Sequence, residues 1–212
     1  MRVLIVGANG NIGRRLIQQM ASGPHQSQAM IRDPKQAAEL RQLGADATVV
    51  ADLEDDIQTA LDGCDAIIFT AGSGGKGGAE KTDAVDRDGA IAVIDAAQKA
   101  GIERFVMVSS MGADTPEQGP EGLQHYLGAK QAADNHLRQS NLRYTIVRPG
   151  TLNDEAGSGR VEIAKDLGRH GTVPRDDVAT VLLQVLDAGN TYGKQFELLS
   201  GESPVEQAVA SL

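Results

Sequence analysis

The sequence predicts an α/β fold of the doubly wound kind, a mostly parallel sheet with helices on both faces, and three observations carry that prediction. Short apolar runs alternate with amphipathic stretches along the whole chain, the βαβα pattern of a parallel sheet. Apolar residues make up 41% of the chain, aromatic residues only 3%, and Trp is absent, so the core is to be built from Val, Ile, Leu and Ala, as buried parallel strands usually are. A glycine-rich turn joins the first apolar run to the first helical pattern. The length of 212 residues suits one compact domain, 1–212, with residues 151–212 partly forming a small substrate-side roof.

The first strand is Met1 to Val6, and the turn after it reads Gly7-Ala8-Asn9-Gly10-Asn11-Ile12-Gly13 before the helical run Arg14 to Met20. In such a turn Gly7 takes the sharp bend, Gly10 leaves room for a pyrophosphate against the backbone, and Gly13 lets helix and strand pack closely. The unpaired amides at the helix start then face an anion. The glycines stand at the first, fourth and seventh positions rather than as G-x-G-x-x-G, yet the strand, turn and helix context is that of a Rossmann-type nucleotide-binding turn.

Gln28 to Ile31 reads as the second strand, after which Asp33 caps and Pro34 opens a helix that runs through Leu43 and stops at Gly44. Ala47 to Val50 is a third strand. A short helix from Asp56 to Leu61 leads through Gly63 to a fourth strand, Ala66 to Thr70, and to a glycine cluster, Ala71 to Gly78, expected to be mobile. A long helix over Ala84–Ala100 closes at Gly101, and Arg104 to Val108 is a fifth strand ending at Ser109-Ser110. A Pro- and Gly-rich loop, Gly112 to Gly122, precedes a helix from Leu123 to Gln139, and Tyr144 to Val147 is a sixth strand ending at Arg148-Pro149-Gly150. The pattern then loosens to a short strand near Val161, a helix over Asp176–Leu186, a strand over Gln195–Leu199, and Ser203-Pro204-Val205-Glu206 capping a terminal helix.

Composition removes several function classes. A net charge of −9 argues against nucleic acid, whose phosphates need a basic surface. No stretch reaches the ~18 apolar residues of a membrane span and no leader precedes the first strand, so a soluble, cytoplasmic protein is expected. The lone Cys64 is read as a small core residue. His25, His125, His136 and His170 lack metal-ligand spacing, so no metal is expected. Asp83, Asp86, Arg87 and Asp88 read as a charged helix start, and Arg175-Asp176-Asp177 as another that could line the roof.

In an open α/β sheet ligands lie outside the carboxyl ends of the strands. Arg32, directly after the second strand, stands where an NADP-selective protein places a base against the 2′-phosphate, with Arg14 close by. NADP is therefore favoured over NAD. Asp52 and Leu53, after the third strand, fall where an adenine lies. Tyr126 and Lys130, four apart, share one helix face, and an adjacent ammonium pulls a phenol down from its ordinary ~10 toward a useful acid or base. A serine after the fifth strand then holds the substrate oxygen.

These residues resemble the short-chain dehydrogenase/reductase superfamily, and within it the atypical NAD(P)-dependent epimerase/dehydratase-like, or sugar-epimerase-like, members. The resemblance covers the whole chain and adds Tyr144-Thr145-Ile146-Val147-Arg148-Pro149-Gly150, whose Arg-Pro-Gly is typical of the group. It implies a catalytic set of Ser110, Tyr126 and Lys130, with Ser109 the alternative serine. With the strand ends it gives a cofactor-binding set of Gly7, Asn9, Gly10, Asn11, Ile12, Gly13, Arg32, Asp52, Leu53, Ala71, Gly72, Lys130 and Pro149. Where related enzymes carry an active-site Asn three residues before a helix glycine, this chain has Asp86 before Gly89, and a carboxylate cannot donate as an amide does. The part after Gly150 is shorter than in true sugar-nucleotide epimerases, which argues against a bulky nucleotide sugar. The expected activity is hydride transfer to or from a small carbonyl or hydroxyl compound, with an epimerase or dehydratase as the related variant. The rival class is a non-catalytic NADP-binding regulator or redox sensor. The expected partner is a small-molecule substrate, and the expected state a monomer or homodimer.

Overall fold

The computed structural model describes residues 1–74 and 77–212. Its strands are β1 (Arg2–Val6), β2 (Gln26–Ile31), β3 (Ala47–Val50), β4 (Ala66–Phe69), β5 (Arg104–Val108), β6 (Arg143–Pro149), β7 (Thr151–Asn153), β8 (Arg160–Ala164), β9 (Thr172–Pro174), β10 (Lys194–Ser200) and β11 (Ser203–Pro204). Its helices are α1 (Asn11–Met20), α2 (Gln36–Gln42), α3 (Gly78–Thr82), α4 (Ala90–Ala100), α5 (Glu121–Gln139), α6 (Arg175–Asp187) and α7 (Val205–Ala210). Nine strands form one sheet in the order β11-β8-β10-β6-β5-β4-β1-β2-β3, while β7 and β9 pair separately. From β3 across to β10 every neighbour is parallel, and β8 and β11 add an antiparallel margin. The chain winds outward from β1 to β3, then returns to place β4 on the other side of β1. The switch in strand order therefore falls between β1 and β4, where a crevice opens at their carboxyl ends.

The two-residue period of each strand sends alternate side chains to opposite cores. Val3, Ile5, Ile68 and Val106 meet α1 through Leu16 and Ile17 and α6 through Val181, Leu182 and Val185. Leu4, Val6, Phe69, Phe105 and Met107 meet α4 through Val93 and Ile94 and α5 through Ala133 and Leu137. Both faces of the sheet are thus covered by aliphatic side chains, as the composition implied.

Several elements depart from the sequence expectation. Helix α1 begins at Asn11, so Asn11 to Gly13 are its first turn rather than turn residues. The helix expected from Ala84 starts at Gly78, after Gly77 in the left-handed region (φ +89°), and between α3 and α4 it widens into a π-helical segment, Asp83–Gly89. Its first part is polar and carries no apolar period, which is why periodicity missed it. Within the expected mobile cluster, Gly75 and Lys76 lie outside the described residues. Asp33 caps a turn through Lys35 N (2.9 Å), and α2 opens only at Gln36. Ser203 and Pro204 do not cap α7 by a side chain: they pair with β8, and Val205 N donates to Gly159 O at 3.1 Å. No described helix is long and apolar enough to cross a membrane.

Candidate cofactor and active site

The glycine turn is shaped by close backbone approach. Gly7 has φ +86°, and a Cβ there would lie 2.6 Å from Ala71 N, while a Cβ on Gly13 would lie 2.3 Å from Gly7 O. Both positions require glycine. At Gly10 a Cβ would meet only Gly7 O at 3.1 Å, so a side chain there would project into the crevice rather than into protein. Gly10 N donates to Gly7 O (2.9 Å) and Arg14 N to Gly10 O (2.9 Å), and the amides of Asn11, Ile12 and Gly13 have no acceptor among the described residues. They are the unpaired first-turn donors of an anion site.

Two lobes meet at this turn, sharing Gly10 and residues 70–73. The smaller, about 410 Å³, is walled by Gly7, Asn9, Ile31, Arg32, Asp52 and Leu53. The larger, about 820 Å³, is walled by Asn11, Ile12, Asp86, Ser109, Tyr126 and Lys130, with Leu152 and Arg175 closing it from the roof. Ala71 and Gly72 lie in both. Pro149 lines neither: it is buried in β6, beside Leu198 of β10. Arg32 is exposed and has no ion-pair or hydrogen-bond partner among the described residues. Arg14 is tied instead to Asn9 Oδ1 (2.9 Å) and to Glu39, so of the two arginines Arg32 keeps its fork available.

The larger lobe holds a buried charge cluster. Lys130 Nζ lies 3.0 Å from Asp86 Oδ1, with the two side chains 4% and 0% exposed, and it also donates to Val108 O at 3.4 Å. Burial alone would push the Lys130 ammonium down, but Tyr126, Asp86 and Asp134 outweigh it and hold it above its ordinary value. Asp86 Oδ2 accepts from Ser73 N (2.9 Å). Its Oδ1, although in ionic contact with Lys130, has no aligned hydrogen-bond donor and faces the lobe as a buried acceptor. Lys130 Nζ stands 5.7 Å from the Tyr126 ring centroid, and the Tyr126 hydroxyl has no partner among the described residues. Behind them Asp134 Oδ2 accepts from Arg148 Nη2 (2.7 Å), and Arg148 reaches on to Asp114 Oδ1 (2.9 Å). Burial pushes the Asp134 carboxyl up in spite of Arg148.

The serines stand differently from the expectation. Ser109, not Ser110, lines the lobe, and its Oγ donates inward to Asp134 Oδ2 at 2.8 Å. Ser110 Oγ donates to Met111 O at 3.1 Å. Both hydroxyl protons are engaged, whereas the Tyr126 hydroxyl in the same wall is uncommitted among the described residues. Sequence reasoning overlooked Asp134 and the pairing of Arg148 with it, though each left a signal. Tyr126, Lys130 and Asp134 repeat at intervals of four along one helix face, and Arg148 interrupts an apolar strand. His25, His125 and His136 each pair with a surface carboxylate, and no described group of three or more His, Cys, Asp or Glu could hold a metal.

The crevice suits a dinucleotide on the geometry alone: free amides at α1, a turn that needs glycine at Gly7 and Gly13, an available guanidinium at one end and the buried Lys130–Asp86 pair at the other. Comparison with known proteins agrees. A sequence model of a family described as NAD(P)H-binding matches residues 7–189. The chain is 48% identical to the uncharacterized sugar epimerase YhfK of Bacillus subtilis over the full length of both. A solved structure from Bacillus halodurans, named provisionally as an NAD-dependent epimerase/dehydratase, superposes with a TM-score of 0.98 at 45% identity, covering all of both chains. The anaerobillin reductase ChuY of Escherichia coli O157:H7 superposes with a TM-score of 0.82 at 27% identity, covering 94% of this chain and 97% of that one.

Proposed function

This chain belongs to the NAD(P)H-binding family, as an atypical short-chain dehydrogenase/reductase of the epimerase-like subgroup, and on that premise we propose that it binds NADP and acts on a small carbonyl or hydroxyl compound. The observation that carries the reading is the continuity of the crevice, which runs from Arg32 past the first turn of α1 to Tyr126. When bound, the nicotinamide supplies or accepts the hydride. The protein's residues do the rest. Gly10 and the amides of Asn11 and Ile12 receive the pyrophosphate, Asp52 and Leu53 flank the adenine, and Arg32 pairs with a 2′-phosphate by charge-assisted bonds. Tyr126 moves the proton at the substrate oxygen while Lys130 is held under it by Asp86. ChuY, a reductase by name, supports a reductive activity on this scaffold.

Calorimetric titration with NADPH tests the reading directly. The wild-type protein is expected to bind, and Gly10→Val, whose side chain enters the phosphate space without meeting the core, is expected to lose binding while keeping its unfolding transition. Unchanged affinity in that variant would remove the dinucleotide from the crevice.

A further inference from the structure

The fold builds a specific place for the Asp86 carboxylate. The π-helical segment Asp83–Gly89 carries its carboxylate inward to Lys130, a close-packed Gly72 makes room for it, with a Cβ there only 3.0 Å from Asp86 Oδ1, and Ser73 N fixes its second oxygen. Helical widenings of this kind recur at functional sites. An uncompensated ammonium about 4–6 Å away shifts an acid by about one to three pH units toward its anion. Here the ammonium of Lys130 has a carboxylate in contact at 3.0 Å, so the pair presents no net charge to the phenol however its proton is shared.

We propose that Asp86 is a positioning residue that cancels the charge of Lys130 beside Tyr126 and so leaves the phenol to act as a proton donor, which makes the substrate a ketone, aldehyde or similarly polarised acceptor to be reduced. The inference rests on Tyr126 as the proton-transfer group in the function proposed above. The step balances: the carbonyl carbon gains a hydride from a reduced nicotinamide, its oxygen takes the Tyr126 proton as the C=O π bond opens, and water reprotonates the phenolate. The other charged groups around Tyr126 are also compensated. Asp83 is held by His125 (3.0 Å) and Arg87 (3.1 Å), Asp134 by Arg148, and Arg175 on the roof by Asp154 (3.0 Å). Ser109 contributes no charge. Among the described residues no unbalanced cation faces the ring.

The test needs no substrate. The chain has three Tyr and no Trp, so in a Tyr144→Phe, Tyr192→Phe background the ultraviolet absorbance of phenolate reports Tyr126 alone. Asp86→Asn is expected to bring that absorbance in at a pH lower by about one unit or more, as an exposed ammonium would. Adding Lys130→Met to Asp86→Asn is expected to abolish the shift. Should Asp86→Asn fail to fold, Asp86→Ser removes the same charge and serves in its place. Coincident titration curves for the parent and the neutral variant overturn the proposal, as does a shift that survives loss of Lys130. If the curves shift as expected but Tyr126→Phe turns over a carbonyl substrate at full rate, the charge balance stands and the proton-donor role fails, and with it the reductive assignment.

Discussion

The two ends of the sheet satisfy a buried cation in opposite ways. At the end remote from the crevice, Arg104 opens β5, is 5% exposed, and has no carboxylate partner among the described residues. It donates to Val185 O (2.6 Å), Leu186 O (3.1 Å), Arg143 O (2.6 Å) and Thr145 Oγ1 (2.9 Å), and Tyr192 stacks 4.8 Å from its guanidinium carbon. Burial pushes it down to about 10, still protonated at neutral pH. Two of its acceptors, Val185 O and Leu186 O, are among the last carbonyls of α6, the negative end of that helix. At the crevice end, Lys130 and Arg148 are met by Asp86 and Asp134. Neutral acceptors make a joint that is indifferent to pH, whereas carboxylates make a region whose charge one substitution can reset. The first arrangement serves architecture and the second serves chemistry.

The comparison predicts that the two ends fail differently. The largest effect is expected from Tyr126→Phe, with turnover of a carbonyl substrate falling by about 10²–10⁴, as for loss of a general acid, at nearly unchanged thermal stability. Steady-state assay across small aldehydes, ketones and quinones with NADPH, beside a melting curve, checks both halves. A variant less stable yet fully active would place Tyr126 with the architecture. Arg104→Met is the converse. It strands several buried carbonyls at about 1–3 kcal/mol each if unsatisfied, so a loss of about 3 kcal/mol in denaturant unfolding is expected, with NADPH affinity of the folded fraction preserved.

Arg32→Ala sharpens the picture at the crevice mouth. A charge-assisted bond to phosphate contributes about 1.5–3 kcal/mol, so NADP affinity is expected to drop about tenfold or more while NAD affinity barely moves. Equal losses for both would show that Arg32 does not read the 2′-phosphate. The smallest effect belongs to Asp114. A hydrogen bond from Arg148 holds its carboxyl below the usual range against the opposing effect of burial. A depressed carboxyl contributes stability above its unfolded value of about 3.9 and loses it as pH falls through the lower folded value. Its side chain is 53% exposed, so Asp114→Asn is expected to flatten the acid limb of stability by well under about 1 kcal/mol. Acid titrations of the two proteins, followed by circular dichroism, make the comparison.

Legibility in the sequence follows the range of the interactions. The strand, glycine turn and helix at the start are local, and Gly7 and Gly13 could be read directly because close backbone approach needs glycine whatever surrounds it, with Gly10 following from its place in the same turn. Tyr126 and Lys130 were legible as a helical pair. Asp86 was noticed as a departure, but its contact with Lys130 spans 44 residues and two elements, which no local pattern encodes. The choice between Ser109 and Ser110 likewise depends on which of them faces the lobe, and the Ser109 hydroxyl is tied to Asp134 of α5, a partner distant in sequence. Strands β7, β9 and β11, of three, three and two residues, are too short to show any period, so their pairings and the place of Leu152 at the crevice had no sequence signal, whereas Arg175 was already readable as a residue that could line it.

The π-helical segment also decides which kinds of genetic change the crevice tolerates. A π-helical turn takes up about one residue more than an α-helical turn over nearly the same rotation, so removing one residue between Asp86 and Ala90 would let the segment relax to regular α geometry with α3 and α4 still nearly in phase. In a regular helix the same loss would turn everything before it by roughly 100°. The stretch that carries Asp86 thus has slack in its length that a regular helix would lack.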